Sequence, residues 1–409
     1  MSTISPPLAR SAAPPAASPP TTWPIVAAGI LALAVAMGVG RFAFTPLLPL
    51  MVRDGSLSAA AGAEWAAANY AGYLAGALTA ARFSGRPGRG LILSLGGVAL
   101  TTLAMAAAGD PAPAILGPTL RAAAGVFSAW ALVCASGWCL AELARRHAPR
   151  RGAWIYTGVG LGIALAGALA WLGGGQPAAR LWLELGLLAA VGAGLVAGLV
   201  RRQGTIPPEP SEREGAAVAR GPAGGEAGPI LCYGAFGFGY IVPATFLPAM
   251  ARELTPDPLV FGLAWPLFGL AALASVAVAA RRLAGVPRRR LWAAAQGIMA
   301  LGTALPLAIH ALWAVAASAV LVGGTFMIAT MAGLQWAREA RPDDPTPLLA
   351  RMTAAFAAGQ IAGPLLVRAL GHAGVGSGGG DGLGPTGAVA ALTLALTALW
   401  LWRAGKRPF

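Results

Sequence analysis

Arg41 and Arg121 are basic residues set inside long apolar stretches of a 409-residue chain. A charge at membrane depth costs roughly 2.5 to 3.5 kcal/mol or more, so each is by default a functional clue. Arg41 precedes Leu50 by nine residues and Arg121 follows Pro113 by eight. At 1.5 Å per residue, both then lie roughly 12 to 14 Å below the outer surface. Two planar guanidinium forks at one level would clamp a carboxylate, sulfonate or phosphate. The competing expectation is structural: Glu64, Glu142 or Glu184 neutralises them, or they bond carbonyls loosened near Pro46 and Pro49. Glu64, opening one apolar stretch, and Glu184, inside another, are the candidates for proton coupling, because a carboxyl in apolar surroundings can hold a proton. Interfacial or ion-paired placement is the alternative. Asn69, Tyr70, Tyr73, Trp130, Tyr240, Trp265, Gln335 and Gln360 complete the cavity candidates, against the alternative of packing or an interfacial aromatic belt.

These residues must be carried by membrane helices. The chain is 57% hydrophobic and 11% charged, with a mean hydropathy of +0.67, far from the near-quarter charged content of soluble domains. Apolar stretches long enough to cross a hydrocarbon core of about 30 Å recur. They fall near 23–50, 64–81, 90–107, 113–141, 152–172, 179–200, 229–251, 259–280, 291–309, 311–337, 348–370 and 384–402. The net charge of +14 sits in short arginine clusters between spans, which argues for membrane topology and against nucleic acid. Every second loop is basic: Arg82 to Arg89, Arg145 to Arg151, Arg201 and Arg202, Arg281 to Arg290, Arg338 and Arg341, then Arg403 to Arg407. The other loops, holding Arg53 with Asp54, Asp110, Arg180, Arg252 with Glu253, His310 and His372 with Asp381, are poorer in positive charge. By the positive-inside rule both termini are expected in the cytoplasm, which requires an even number of spans. Lys406 is the single lysine among 29 basic residues, a composition that points to a GC-rich genome and a bacterial inner membrane.

The expected organisation is a disordered tail over 1–22, a six-helix bundle over 23–200, a Pro/Gly/Glu linker over 201–228, a second bundle over 229–403 and a short tail over 404–409, all cytoplasmic apart from the bundles. The segment Gly371 to Pro385 reads as a flexible outer loop. The bundles read as duplicates. Gly38-Val-Gly-Arg-Phe through Leu48-Pro-Leu-Met-Val-Arg-Asp54 is repeated at an offset of 199 as Gly237-Phe-Gly-Tyr-Ile through Leu247-Pro-Ala-Met-Ala-Arg-Glu253. Tyr240 falls on Arg41 and Arg281 on Arg82, and the Gly125/Phe127 pair meets Gly324/Phe326. Six spans per half make the repeats parallel, with a site expected where the halves meet.

The chain resembles the major facilitator superfamily, and within it the YbfB/YjiJ group, over nearly all of 23–403. The resemblance rests on Gly38-Val-Gly-Arg-Phe-Ala-Phe-Thr-Pro-Leu-Leu-Pro49, on Ala68-Asn-Tyr-Ala-Gly-Tyr-Leu-Ala-Gly-Ala77 and on Gly359-Gln-Ile-Ala-Gly-Pro364. Arg121-Ala-Ala-Ala-Gly125 is similar to the superfamily's Arg-x-x-x-Gly motif, whose arginine is thought to serve substrate or proton coupling. In Gly76-Ala-Leu-Thr-Ala-Ala-Arg82 the acid that ordinarily locks the cytoplasmic gate is missing, so other contacts must close it. The glycine-rich fifth span, Gly158-Val-Gly160-Leu-Gly162 with Gly167, lacks the proline of the superfamily's antiporter motif.

The fold expected is thus an all-α polytopic membrane protein of about twelve helices in two pseudo-symmetric bundles, acting as a monomeric secondary carrier for a small, anionic solute. A neutral-solute or drug efflux carrier and a transporter-like sensor are the rival readings. Neither a Walker loop nor a metal-spaced His/Cys/acid cluster appears, so no cofactor, metal or enzymatic activity is expected. Cys134, Cys139 and Cys232 read as small core residues.

Overall fold

The computed structural model describes residues 22–83, 85–109, 114–203, 226–255, 257–283, 285–341, 346–373 and 382–404. Most of the two tails, the linker core, most of the glycine loop and Asp110, Pro113, Asp381, Lys406 and Arg407 lie outside the described residues.

Charge-poor stretches with no water to serve their amides must satisfy every backbone group internally, and the helix does so within one segment. The first half holds α1 (Trp23–Arg53), α2 (Ala59–Thr79), α3 (Pro87–Ala104), α4 (Leu116–Arg145), α5 (Thr157–Leu172) and α6 (Ala178–Arg202). The second holds α7 (Ala227–Leu254), α8 (Ala264–Arg282), α9 (Arg288–Ala308), α10 (Leu312–Ala340), α11 (Thr346–His372) and α12 (Leu383–Ala404). Among the described residues ten helices are long and apolar enough to cross a membrane. The two that fall short of that measure have simple reasons. Glu64, Asn69, Tyr70 and Tyr73 ride on α2, and the apolar run of α8 is confined to Ala264–Ala279 before Arg281 and Arg282. A short 3-10 stretch, Pro149–Tyr156, precedes α5, so its regular helix begins later than the apolar run does.

The duplicated packing is visible pair by pair. In the first half α1 packs on α5, α2 on α4, and α3 on both α4 and α6; in the second α7 packs on α11, α8 on α10, and α9 on both α10 and α12. The halves join through α5 with α8 and, at the symmetry-related place, α2 with α11. Small residues permit these approaches, as membrane helices require. A Cβ on Gly38 would strike the backbone of Gly162, and one on its counterpart Gly237 the backbone of Phe356.

The symmetry fails in the first helix of each half. Helix α1 is α-helical over Trp23–Leu33, widens to a π-helix over Ala34–Phe42, and resumes as an α-helix at Phe44. Its counterpart α7 runs unbroken from Ala227 to Leu254 although Pro243 and Pro248 lie inside it. A π-segment bonds i to i+5, redirecting carbonyls, and such segments concentrate at functional sites.

At the arginine-rich end, ion pairs tie the helix termini. Glu226, preceding α7, meets Arg341 at 2.5 Å and Arg351 at 2.7 Å, fastening the start of α7 to the end of α10 and the start of α11. The first half uses a neutral analogue: Thr22, preceding α1, accepts a hydrogen bond from Arg151. Removing the carboxylate leaves two guanidinium groups facing each other with no counter-charge among the described residues. Glu226→Ala is therefore expected to destabilise the second half by about 3 kcal/mol, visible as a lower melting temperature in detergent, whereas Thr22→Ala should cost about 1 kcal/mol.

Candidate functional site

Arg41 leaves the π-segment of α1 and is 3% exposed. Its guanidinium carbon lies 3.9 Å from the ring centroid of Tyr73, 5.3 Å from that of Phe42 and 5.6 Å from that of Tyr70. Aromatic faces attract a cation, but they do not supply a hydrogen-bond acceptor for each N–H. Nε and Nη2 of Arg41 have no partner among the described residues. A buried donor left this way carries its full desolvation penalty.

Arg121, from α4, is just as buried, and its use is different. Its Nη1 donates to the Gly40 carbonyl at 3.3 Å and its Nη2 to the Arg41 carbonyl at 2.9 Å, with the Phe44 ring centroid 4.8 Å away. These carbonyls belong to the π-segment, so Arg121 serves backbone acceptors there; the loosening comes at Gly40 and Arg41, ahead of Pro46 and Pro49. Asn69 of α2 donates to the Arg121 carbonyl at 2.8 Å, fixing α2 to α4 beneath them.

None of the three expected carboxylates reaches either arginine. Glu142 pairs with Arg145 and Arg146, and Glu184 with Arg180 at 3.2 Å on one face of α6. Glu64 pairs with Arg368 at 2.6 Å, linking α2 to α11. Among the described residues, then, no acid forms an ion pair with Arg41 or Arg121.

The second half supplies the opposite wall, and it is aromatic. Tyr240 lies between the rings of Phe326 and Phe356, 5.6 and 5.7 Å away and nearly parallel to both, and its hydroxyl accepts from the Gln360 amide. Tyr240 is within electrostatic reach of Arg41, Tyr70 and Tyr73. Phe42 crosses to this wall, 6.2 Å from Trp265 and 6.4 Å from Phe326. Polar atoms without a partner among the described residues face these helices too: Nε1 of Trp265, Oε1 of Gln360 and Oδ1 of Asn69.

Arg41, Arg121, Asn69, Tyr70, Tyr73, Tyr240, Gln360 and Trp265 are therefore brought into one buried region. Trp130 and Gln335 are not placed with them by any contact. Trp130, midway along α4, donates to Thr79 at 2.9 Å, between Phe83 and Phe127 and under Arg82, at the arginine-rich end of α2. Gln335 is half-buried three residues before Arg338. Phe42, Phe44, Phe326 and Phe356 were not among the residues expected. Phe42 and Phe326 sit in motifs that carry the repeat, and that was the available signal.

Contacts between the halves enclose the region. On the side away from the termini, Tyr70 and Thr245 share a hydrogen bond of 2.9 Å, Thr45 donates to the Ala244 carbonyl at 3.1 Å, and Arg252 donates to the Pro49 carbonyl at 2.7 Å. A cavity of about 710 Å³ opens there beside Pro49, Arg252, Glu253, Arg368 and His372. On the arginine-rich side, Arg281 of α8 lies 5.0 Å from the ring centroid of Trp154 in the other half. Its repeat partner Arg82 lies 4.9 Å from Trp130 within its own half. Guanidinium stacking on tryptophan thus occurs where the loop after α2 has no acid.

Two six-helix bundles related by duplication, enclosing polar side chains between them, define a membrane transporter of the major facilitator type. The chain belongs to the family described as "Uncharacterised MFS-type transporter YbfB", whose model matches residues 33–401. No curated protein matches it. Its fold is similar to that of a D-xylose-proton symporter (TM-score 0.67, 15% identity, 93% of this chain and 96% of that one). It is also similar to the nucleoside transporter NupG (0.70, 13%, 94% and 100%) and to the POT family transporter PepTSo (0.71, 12%, 95% and 98%).

Proposed function

We propose that this transporter is a secondary active carrier that moves a small organic anion by alternating access, with Arg41 as the group that meets the cargo's negative charge. One observation carries the reading: Arg41 is buried between the halves with two N–H groups unpartnered and no carboxylate paired to it among the described residues. A buried cation without a protein counter-charge gains most from a ligand that brings one. Proteins of this fold are named for a sugar, a nucleoside and the POT family, so cargo has to be argued from the site and not from the fold.

The bundles 23–200 and 229–403 act as the two rocking units, joined by the linker 201–228, with both termini on the cytoplasmic side of an inner membrane. Tyr240, Gln360 and the aromatic wall recognise the cargo's carbon skeleton, while Asn69, Tyr70 and Tyr73 hold the charged end. Trp130 and Gln335 line the cytoplasmic exit of the path. Coupling runs through Glu64, whose ion pair with Arg368 spans the two halves, so that protonation would release it. Glu184, on the outer face of α6, is the second acid to test.

Reconstitution into liposomes with labelled carboxylates, sulfonates, phosphate esters and neutral metabolites, with and without a pH gradient, tests the reading. At least one anion is expected to move and the neutral solutes are not. Movement of neutral solutes alone overturns the anion assignment, and movement of nothing points to a sensor. Transport indifferent to the pH gradient and unchanged in Glu64→Gln removes the acids from the mechanism.

A further inference from the structure

We propose that a groove on the lipid-facing side of the second half, at the arginine-rich end of α12, binds an anionic phospholipid. Leu396, Leu399, Trp400 and Arg403 follow a spacing of three, four and seven residues and therefore share one face of the helix. With Ala404 they line a cavity of about 530 Å³. Leu396, Leu399 and Trp400 are each more than 40% exposed, so much of this face is left open, although Trp400 meets Gly228 at the start of α7 and Arg289 at the start of α9.

The charge at the top of the groove is not matched among the described residues. Arg403 has no hydrogen-bond or ion-pair partner among the described residues. Arg289, from the start of α9, stacks 5.0 Å from the Trp400 ring centroid and 6.0 Å from that of Trp336, and its Nε is buried without a partner. The neighbouring acid, Glu339, is engaged by Arg288 at 3.4 Å. Two guanidinium groups thus flank one tryptophan at the level where indole rings meet headgroups. Seven residues of helix carry the groove from Arg403 to Leu396, about 10 Å along the axis. A phosphate between the arginines would leave an acyl chain lying over Leu396 and Leu399. The unmatched charge selects an anionic headgroup over a zwitterionic one, and the apolar floor selects a lipid over a free phosphate.

Native mass spectrometry of the detergent-purified full chain, with equimolar phosphatidylglycerol and phosphatidylcholine, tests this without reference to transport. About 1 kcal/mol for each arginine corresponds to a preference of roughly thirtyfold for phosphatidylglycerol. Arg289→Gln with Arg403→Gln should abolish the preference, while Arg201→Gln with Arg202→Gln on α6 should leave it intact. Leu396→Trp, which fills the groove and keeps both charges, should reduce retention of the lipid. The proposal is overturned if the wild type shows no preference, if the two double variants lose it equally, or if inorganic phosphate competes at the lipid's own concentration.

Discussion

Replacing Arg41 with glutamine is expected to reduce transport of the proposed anionic cargo by roughly thirtyfold to several thousandfold, the factor that about 2 to 5 kcal/mol for losing one partner of a buried charge pair implies. The same replacement should not weaken the fold. Arg41 lies among the rings of Tyr73, Phe42 and Tyr70, and its Nε and Nη2 are unpartnered among the described residues. Removing its charge relieves a desolvation cost. Arg121→Gln has the opposite signature. It strips the hydrogen bonds from the Gly40 and Arg41 carbonyls, so melting temperature should fall together with transport. Arg41→Lys keeps the charge without the planar fork and should be intermediate. Uptake into liposomes and a melting curve, measured on all three variants, separate the roles. Wild-type transport by Arg41→Gln would end the assignment of that residue.

The second large effect is expected where α5 crosses α8 between the halves. A Cβ on Gly160 would lie 2.7 Å from the Leu273 Cα and 2.8 Å from the Gly269 carbonyl oxygen, and one on Gly269 would lie 2.7 Å from the Ala164 Cα. These neighbours are backbone, which cannot turn aside as a flexible side chain can. One extra methylene in a packed core already costs about 1 to 3 kcal/mol. Gly269→Leu or Gly160→Leu should therefore cost at least about 3 kcal/mol, or yield a chain that survives but no longer transports because its halves are pushed apart. Gly194→Leu, on α6 with open space around it, is the matched control. Equal melting and equal transport for Gly269→Leu and Gly194→Leu would show that this crossing does not hold the halves together.

Much of the scaffold was legible because membranes simplify the code. Charge-poor runs separated by arginines located the helices, and a repeat at one offset predicted which helices would correspond. Thr45 and Ala244 stand 199 residues apart and share a hydrogen bond across the halves, which is what duplicated helices crossing near their symmetry axis should do. Arg82 and Arg281 correspond, and each stacks on a tryptophan. The site was only half legible. Depth counting placed Arg41 and Arg121 at one level, and the Arg121 guanidinium does meet the Arg41 carbonyl. Counting could not foresee that α1 opens into a π-segment whose carbonyls engage Arg121, because apolar periodicity does not distinguish one helix type from another over nine residues. Nor could it show that Glu64 would find Arg368, 304 positions away, since such pairs depend on how the halves dock. Trp130 was expected in the cavity from its helix alone, and its contacts are with Thr79 and Arg82 instead.

The buried guanidinium groups come from one copy of the ancient repeat and most of the aromatic wall from the other: at the position where the first copy keeps arginine, the second keeps Tyr240. Duplicates that began alike have thus specialised, one in sign and one in shape. Mutations in the second copy can remodel the wall without touching the cation, and those in the first can alter charge without disturbing the wall. Under the proposed reading, a lineage built this way can diversify the skeletons it accepts while the demand for a negative end is inherited unchanged.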